Sequence, residues 1–315
     1  MNKIRIGTRK SKLALWQANF IADQLKKFYP AIEIELIHIT TKGDKILDSP
    51  LSKIGGKGLF TNEIENQLID GKIDLAVHSL KDVPAQLKNN FTIAAIPKRE
   101  IPFDAFVSND YKNFSDLPLN AKIGTSSLRR RAQILAIRSD LKIFDLRGNV
   151  DTRLKKLDDK NFDAIILAAA GLKRLSYENR IKEIISPSII LPAVGQGALA
   201  IETLADRSDV IDLLKILDDF ETHIAVSAER SFLKVVDGGC QVPIGVFAEI
   251  FDKKITINAI ISSLDGKNIF RDKISGSIAD AKILGESLAN NLLDNGGREI
   301  LNNIENFSDN KIMRR

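Results

Sequence analysis

The sequence predicts an α/β protein with two similar lobes around a cleft and a small C-terminal α+β domain. First, Ile6-Gly7-Thr8-Arg9-Lys10-Ser11 at a strand-to-helix junction is echoed by Ile123-Gly124-Thr125-Ser126-Ser127-Leu128. Second, both copies run strand, helix, strand, loop, helix, strand, although chance similarity between two α/β segments would look the same. Third, the pattern changes near Phe220. We expect lobes at 1–97 with 198–217 and at 98–197, and a third domain at 218–315.

The first lobe contains alternating strand and helix patterns. Ser11 is placed to cap a helix whose apolar face includes Leu13, Trp16 and Phe20. The segment from Lys42 to Gly58 is rich in glycine and charge, so we expect a long mobile loop there. The other predicted elements are strands at Lys3–Thr8, Ile32–Thr40 and Ile73–Ser79 and a helix at Leu59–Ile69.

The second lobe repeats this plan. Ile73-Asp74-Leu75-Ala76-Val77 has its counterpart in Phe162-Asp163-Ala164-Ile165-Ile166. Two proline-containing segments are expected to connect the lobes: Pro97–Pro102, here called the first crossing, and Leu191–Gly197, here called the return crossing. Each lobe would then present helix N-termini to a shared cleft, and helix N-termini favour anions.

The third domain is predicted from a helix, three strands and a last helix. A helix is expected from about Phe220 to Val236, and another from about Ala279 to Asn295. Turn signals at Asp252-Lys253-Lys254 and Asp265-Gly266-Lys267 separate the strands. The strands are expected near 243–250, 255–263 and 268–275.

Composition narrows the class of protein. The 315 residues carry 46 basic and 41 acidic side chains, and this mild excess with only three Tyr and one Trp argues against nucleic-acid binding. The single cysteine excludes an internal disulfide and fits a reducing compartment. Met1–Gly7 enters a strand without a signal-peptide core, and no run of eighteen apolar residues occurs, so we expect a cytoplasmic protein with no membrane contact. The three histidines lack metal-ligand spacing, and no metal is expected.

The cysteine lies in an irregular loop, Asp237-Gly238-Gly239-Cys240-Gln241-Val242-Pro243. Glycines before the thiol and a proline after it are typical of a turn that can present sulfur to a cleft. A lone cysteine is more often a small buried apolar residue. Cys240 therefore needs support from other motifs before it is assigned a chemical role.

Two arginine-rich segments indicate a polyanionic ligand. In Gly124–Arg131, hydroxyls and guanidiniums converge at one predicted helix start, and arginine binds carboxylates with a bidentate fork. Arg147 to Arg153 adds two guanidiniums after another strand, and Arg174 could be a third. A capped, solvated basic helix would show the same residues.

Asp82 is an isolated carboxylate after a buried-type strand, beside Lys81 and before Pro84. A carboxylate there could accept N–H bonds from a ligand or stabilise a developing cation. The alternative is a salt bridge to Lys81 or a turn-capping role. The glycine loop 53–58 lacks the spacing of a phosphate-binding loop, and we interpret it as a mobile lid carrying Lys53 and Lys57.

Taken together, these motifs resemble the porphobilinogen deaminase (hydroxymethylbilane synthase) family. The resemblance runs almost end to end and keeps the order of the motifs, which are Ala76–Pro84, Gly124–Arg130, Leu146–Arg153, Pro192–Gly197 and Gly238–Pro243. It implies a three-domain enzyme whose first two domains resemble periplasmic binding proteins around a cleft. It also implies a monomer that condenses four porphobilinogens through oligopyrrole intermediates, releases ammonia each time and hydrolyses off hydroxymethylbilane for haem biosynthesis.

The same resemblance implies the cofactor and the site residues. The primer would be a dipyrromethane held by a thioether to Cys240, and Asp82 would be the catalytic carboxylate. The resemblance implies that Arg130 contacts the cofactor and is not needed for the fold. Arg130→Leu should therefore impair cofactor assembly or loading and leave the fold intact. The positions that match the family's cofactor contacts are Lys81, Asp82, Ser127, Arg129 and Arg130. Those that match its substrate contacts are Arg9, Ser11, Thr125, Arg147, Arg153, Arg174 and Gln196, with Lys53 and Lys57 in the lid.

Two other functions stay open at this point. A non-catalytic anion-binding module would use the same cleft but keep an unmodified thiol. A nucleic-acid protein would use the basic face at 122–156 and lose affinity steeply with salt. Twelve carboxylates on a six-ring oligopyrrole would require the arginines, helix N-termini and hydroxyls of the cleft, because buried carboxylates need partners.

Overall fold

The computed structural model describes residues 2–45, 58–59, 61–237 and 242–304. Three sheets organise the chain. The strands of the first are β1 (Lys3–Arg9), β2 (Glu33–Ile39), β3 (Leu75–Ser79), β4 (Phe91–Ala95) and β10 (Leu199–Leu204). Those of the second are β5 (Asp104–Val107), β6 (Lys122–Gly124), β7 (Lys142–Phe144), β8 (Ala164–Ala168) and β9 (Glu183–Ile184). The third contains β11 (Ile244–Phe251), β12 (Lys254–Ser262) and β13 (Ile269–Ser277).

Helices connect and cover these strands. Their bounds are α1 (Lys12–Phe28), α2 (Lys42–Lys45), α3 (Asn62–Ile69), α4 (Leu128–Ile137), α5 (Val150–Asp158), α6 (Ala169–Arg174), α7 (Ser208–Leu214), α8 (Phe220–Val235) and α9 (Ala281–Leu292). Helix α1 illustrates why they form. Ser11 accepts a hydrogen bond from the Ala14 N–H at its start, and Ile21 and Leu25 bury one face against Ile4 of β1.

The two five-stranded sheets share one plan. Their orders are β2-β1-β3-β10-β4 and β7-β6-β8-β5-β9, with the first three strands parallel and the fourth antiparallel to both neighbours. Even a local detail repeats. The carboxylate of Asp74 accepts from the Arg5 N–H at 2.8 Å, and that of Asp163 accepts from the Lys122 N–H at 2.6 Å. The internal repeat read from the sequence is confirmed.

Matched glycines allow the close packing of both sheets. A Cβ on Gly7 of β1 would lie 2.4 Å from the Ile73 side chain, and a Cβ on Gly124 of β6 would lie 3.1 Å from Phe162. Each glycine and its neighbour occupy equivalent positions in the two lobes. A larger residue at either glycine would require the neighbouring side chain, Ile73 or Phe162, to move.

The crossings run side by side between the lobes. Glu100 of the first crossing donates its N–H to the Gly197 carbonyl of the return crossing at 3.2 Å, and Arg99 donates from Nε to the Gln196 carbonyl at 2.8 Å. Gly197 has φ +88°, and a Cβ there would lie 2.4 Å from the Glu100 oxygen. Only glycine fits this approach. The prediction of two connecting crossings is confirmed.

The C-terminal part is an antiparallel three-stranded meander, in the order β11-β12-β13, covered by α8 and α9. Phe232 of α8, Leu288 of α9 and Ile257 of β12 are buried in one apolar cluster. Together with the two sheet-and-helix lobes, this domain confirms the predicted fold class.

The structure differs from the sequence expectations at three places. The expected loop from Lys42 to Gly58 begins with helix α2, where the Asp44 carboxylate accepts from the Thr41 N–H and hydroxyl at 3.1 and 2.8 Å. Helix α3 begins at Asn62 and not at Leu59. The last helix, α9, begins at Ala281, after a single 3₁₀ turn. No helix among the described residues is long and apolar enough to cross a membrane.

Candidate functional site

The predicted site residues lie at the carboxyl ends of parallel strands in both lobes. Arg9 ends β1, Asp82 follows β3, Thr125 follows β6 and Arg147 follows β7. Arg174 ends α6, which follows β8 directly. Ligands bind at this edge in open α/β sheets, because the loops there are free to vary on a rigid frame.

Asp82 ends a 3₁₀ turn, Leu80–Asp82, that directly follows β3. The turn is fixed on both sides, since the Leu80 N–H donates to the Ala198 carbonyl at 3.0 Å and the Val83 N–H donates to the Leu80 carbonyl at 3.1 Å. The side chains of Leu80 and Val83 are buried. Asp82 itself is partly exposed to solvent, and the turn that carries it is fixed.

Lys81 connects this turn electrostatically to the other lobe. Burial lowers the pKa of Lys81 from 10.5 to about 8, and the cations Arg130 and Arg129 act in the same direction. The carboxylates of Asp82 and Asp104 oppose them. A lysine with such a pKa is charged at neutral pH but loses its proton within the physiological range of pH.

The hydroxyls at the start of α4 shape the loop that leads into it. Ser127 is the N-cap and accepts from the Arg130 N–H at 3.4 Å. Thr125 accepts from the Ser127 N–H at 3.2 Å, and Ser126 bonds to both the N–H and the carbonyl of Leu146 at 3.0 Å. The predicted helix start is confirmed and Ser127 caps it, but the alternative of a solvated basic helix is wrong, because Arg129 and Arg130 are buried.

Arg129 and Arg130 converge on one buried carboxylate, Asp104 of β5. Arg129 donates from Nη1 to Asp104 Oδ2 at 2.8 Å, and Arg130 donates from Nε and Nη2 to Oδ1 at 3.0 and 2.7 Å. Gln196 of the return crossing donates to the same Oδ1 at 2.9 Å. Asp104 is fully buried and both arginines nearly so. We call these four residues the Asp104 cluster.

The contacts within the Asp104 cluster determine the charge of its members. Burial alone would raise the pKa of Asp104, but the charges and hydrogen bonds of Arg129 and Arg130 outweigh it and hold that pKa well below its ordinary value. Burial lowers the pKa of Arg129, and Asp104 opposes this. The two guanidiniums also donate to backbone carbonyls, Arg129 to Leu191 at 2.6 Å and Arg130 to Ile166 at 2.8 Å. One carboxylate thus faces two cations, leaving a net positive charge.

Arg147 and Arg153 extend this positive region. Burial lowers the pKa of Arg153 to about 10, with Arg130 and Arg147 adding to the effect and Asp82 opposing it. Arg153 donates from Nε to the Gly148 carbonyl at 2.8 Å. The Nε of Arg147 is buried and has no hydrogen-bond partner among the described residues. An anion placed here would relieve the mutual repulsion of these cations.

Arg174 and Gln196 belong to the contacts of the return crossing. Arg174 donates to the Gly197 carbonyl at 2.6 Å, and its guanidinium lies 5.7 Å from the centre of the Trp16 ring. Burial lowers the pKa of Arg174 to about 10. Gln196 donates to the Pro102 carbonyl at 2.7 Å, while its own side-chain oxygen has no partner among the described residues.

Arg9 and Ser11 lie at the β1–α1 junction of the first lobe. Arg9 forms an ion pair with Asp44 of α2, and Ser11 caps α1 through the Ala14 N–H at 3.3 Å. Cys240, Lys53 and Lys57 lie outside the described residues, so their predicted roles stay predictions.

Sequence reasoning missed Asp104, although a signal existed. Asp104 begins an apolar strand, Asp-Ala-Phe-Val, directly after the first crossing, and it is the only charged residue of that strand. A charged residue at the edge of a buried strand needs a partner. The same argument that singled out Asp82 therefore applied to Asp104, but nothing in the sequence indicated which cations would meet it.

Family models match both parts of the chain. The porphobilinogen deaminase, dipyromethane cofactor binding domain matches residues 4–212, and the porphobilinogen deaminase C-terminal domain matches residues 223–294. Among curated relatives, the porphobilinogen deaminase of Brevibacillus brevis is 53% identical over 302 residues, covering 96% of this chain and 97% of the relative. That of Vesicomyosocius okutanii is 52% identical over 302 residues, covering 96% and 99%.

Solved structures of binding proteins are also similar. A nutrient binding protein from Burkholderia cenocepacia bound to methionine is 15% identical, with a TM-score of 0.43, over 70% of this chain and 93% of that one. A Bacillus subtilis protein described as a putative methionine-binding lipoprotein is 14% identical, with a TM-score of 0.42. The match covers 70% of this chain and 92% of that one.

Proposed function

Because the chain belongs to the porphobilinogen deaminase family, we propose that it condenses four porphobilinogens head to tail onto a dipyrromethane primer. Each addition releases ammonia, and the product hydroxymethylbilane is then released by hydrolysis. The chain is a transferase of tetrapyrrole and haem biosynthesis. The observation that carries this proposal is Asp82, a carboxylate on a fixed turn that interacts electrostatically with the cations Lys81 and Arg153.

The residues present fit a dipyrromethane cofactor. Such a group carries acetate and propionate side chains, and the site has more cations than carboxylates. Positive charge is least compensated at Arg147 and Arg153. The Nε of Arg147 has no hydrogen-bond partner among the described residues, and the pKa of Arg153 is lowered to about 10. Carboxylates bound there would gain charge-assisted hydrogen bonds and relieve repulsion. The residues proposed to bind the cofactor, on the family resemblance, are Lys81, Asp82, Ser127, Arg129 and Arg130.

Covalent attachment through Cys240 is the finer part of this proposal. The sequence supports it, because this is the only cysteine of the chain and it follows α8 by a few residues. When bound, the dipyrromethane would supply the pyrrole to which the first unit is added. A thioether would keep this primer in place while the growing chain changes length.

The chemical role proposed for Asp82 rests on the family resemblance and uses the charge of its carboxylate. Its carboxylate accepts pyrrole N–H bonds and stabilises the positive charge that develops on the substrate as ammonia leaves. The turn that carries it is held by backbone bonds from Leu80 and Val83, so little reorganisation is needed when the charge appears. The surrounding cations meanwhile bind the carboxylates of the substrate and not its reacting carbon.

Substrate contacts are proposed for a second set of residues. They share a polar side chain near the strand ends, and most of them also bond to other protein groups; among the arginines, Arg9 pairs with Asp44 and Arg174 donates to the Gly197 carbonyl. A substrate carboxylate at either arginine would have to share donors with these partners. The full set is Arg9, Ser11, Thr125, Arg147, Arg153, Arg174 and Gln196, with Lys53 and Lys57 as lid cations.

The remaining proposals concern organisation. We propose lobes at 1–97 with 198–217 and at 98–197 and a third domain at 218–315, which the membership of the three sheets supports. A cytoplasmic monomer without nucleic acid or membrane partners is proposed on composition and family resemblance alone.

Intact-protein mass spectrometry tests the cofactor, and a turnover assay tests the reaction. Purified protein should carry an adduct of two pyrrole units that is absent from Cys240→Ser. Incubation with porphobilinogen should release ammonia and raise the mass in steps of one pyrrole unit. An unmodified thiol together with reversible anion binding and no ammonia would favour the non-catalytic binding module instead.

A further inference from the structure

Arg230 of α8 contacts the backbone directly behind Asp82. Its Nη2 donates to the carbonyls of Pro84 and Ala85 at 2.8 and 3.1 Å, and its Nη1 donates to the Val83 carbonyl at 3.4 Å. One guanidinium thus donates to three successive carbonyls of the segment that follows the Asp82 turn. The planar fork of arginine suits this task, because its donors have a fixed mutual geometry.

The same face of α8 also holds the turn by apolar contact. Val226 lies four residues before Arg230, and residues four apart share one face of a helix. Val226 is buried in one cluster with Leu80 and Val83, which flank Asp82 in the chain. Helix α8 therefore holds the Asp82 turn on two sides, by apolar packing from Val226 and by hydrogen bonds from Arg230.

The segment has few other means of satisfying these carbonyls. Strand β3 ends at Ser79, so residues 83–85 are outside the sheet ladder, and Pro84 has no N–H to offer in a local turn. Burial lowers the pKa of Arg230 to about 10, and the carboxylate of Glu202 opposes this. Arg230 therefore remains a cation at neutral pH and provides strong donors.

Glu229, the residue of α8 directly before Arg230, binds both crossings. Glu229 accepts from Arg99 of the first crossing at 2.6 and 3.2 Å and from the Gly195 N–H of the return crossing at 2.7 Å. Adjacent residues of α8 thus contact the connection between the lobes and the segment behind Asp82. The chain continues from this helix towards Cys240.

We infer that Arg230 is a positioning residue for Asp82, which fixes the backbone behind the carboxylate and couples it to the helix that leads to Cys240. The inference rests on the proposed role of Asp82. It assigns Arg230 no contact with substrate, so the loss of its fork should reduce the rate of the chemical step and leave substrate binding alone.

Steady-state kinetics of Arg230→Lys, Asp82→Asn and the double variant test the inference. Arg230→Lys keeps the charge but loses the fork, and we expect kcat to fall roughly 10- to 100-fold, as for small misplacements of a catalytic group. KM should stay within about twofold of wild type. In the Asp82→Asn background the same substitution should lower kcat by less than about twofold, because the group it positions is already gone.

Arg138→Lys is the matched control. Arg138 also donates from its guanidinium to a backbone carbonyl, that of Leu117 at 3.0 Å, but at the far end of α4. The kcat of Arg138→Lys should equal that of wild type. Hydrogen exchange of a peptide spanning 80–88 should increase in Arg230→Lys and not in Arg138→Lys.

Each alternative outcome contradicts a specific claim. The positioning role is overturned if the loss of kcat in the double variant equals the product of the losses in the two single variants. It is also overturned if Arg230→Lys raises KM and leaves kcat unchanged. Both outcomes leave the proposed function in place. Absence of turnover in wild type overturns the proposed function and this inference with it. If Arg230→Lys does not fold, Val226→Ala weakens the same contact from its apolar side and must show the same non-additivity with Asp82→Asn.

Discussion

Arg130 donates from both Nε and Nη2 to one oxygen of Asp104, at 3.0 and 2.7 Å, while Arg129 donates to the other oxygen. A fully buried carboxylate that faces two guanidiniums is stable only because every group has a partner. The arrangement also leaves the cluster with a net positive charge next to Lys81. An internal anion thus orients the two cations of the Asp104 cluster.

Asp104→Asn should destabilise the protein by about 3–5 kcal/mol, because it leaves two buried guanidiniums without their counter-charge. Urea unfolding of the holoenzyme measures this change. Asp140→Asn is the control, since Asp140 pairs with Arg138 at a more exposed position and should change stability far less. Equal effects of the two substitutions would show that burial of the Asp104 pair is energetically unimportant.

The same carboxylate predicts how stability changes on acidification. The pKa of Asp104 is lower in the folded protein than its ordinary value of 3.8. Its contribution is therefore complete above that value and is lost as the pH falls below it towards the folded pKa. Unfolding free energies measured from pH 5 down to pH 2 should therefore decline more steeply below pH 4 in wild type than in Asp104→Asn. Parallel declines would assign the acid sensitivity to other groups.

Asp82→Asn should fold normally and lower kcat by roughly 10²–10³-fold, because it removes the charge that stabilises the developing cation. Asp82 is partly exposed, so little stability depends on it. Ammonia release from porphobilinogen measures the rate, and Asp206→Asn, at an exposed surface position, is the control. Near-normal turnover would remove Asp82 from the mechanism.

The repeat and the third domain could be predicted because they depend on local pattern. Gly7 and Gly124 occupy equivalent strands, and the turn at Asp252–Lys254 joins β11 to β12 as expected. The partners of the arginines could not be predicted in this way. Asp104 meets Arg129 across 25 positions of sequence, and only the folded sheet brings them together.

The environment of Arg130 is the instructive case. From the sequence it is expected to contact a ligand and to be removable without loss of the fold. The structure instead buries its guanidinium between Asp104 and the Ile166 carbonyl. Arg130→Leu would therefore remove the donors that Arg130 provides to Asp104 and to the Ile166 carbonyl, and a loss of cofactor in that variant would not separate binding from folding. The motif identified the cation but not the carboxylate that orients it.

We expect kcat/KM to fall at alkaline pH, because Lys81 loses its proton there. Its pKa is lowered from 10.5 to about 8, chiefly by burial, so the free enzyme loses this cation as the pH rises through about 8. Weaker attraction for an anionic substrate should then lower kcat/KM by about 10-fold, the value of one charge-assisted contact. In Lys81→Arg this fall should move to higher pH, because a guanidinium keeps its proton. Identical profiles would assign the fall to another group or to the substrate.

Glu229→Gln should destabilise the protein by about 3–5 kcal/mol, because one fully buried carboxylate serves three parts of the chain. It accepts from Arg99 at 2.6 Å, from the Gly195 N–H at 2.7 Å and from the Ala248 N–H at 3.0 Å, and so joins both crossings to α8 and β11. A neutral amide keeps the size but leaves Arg99 without its counter-charge. Urea unfolding measures the loss, and Glu221→Gln, on an exposed position of the same helix, should change little. If both variants were equally stable, the junction of the three domains would have to be held by apolar packing alone.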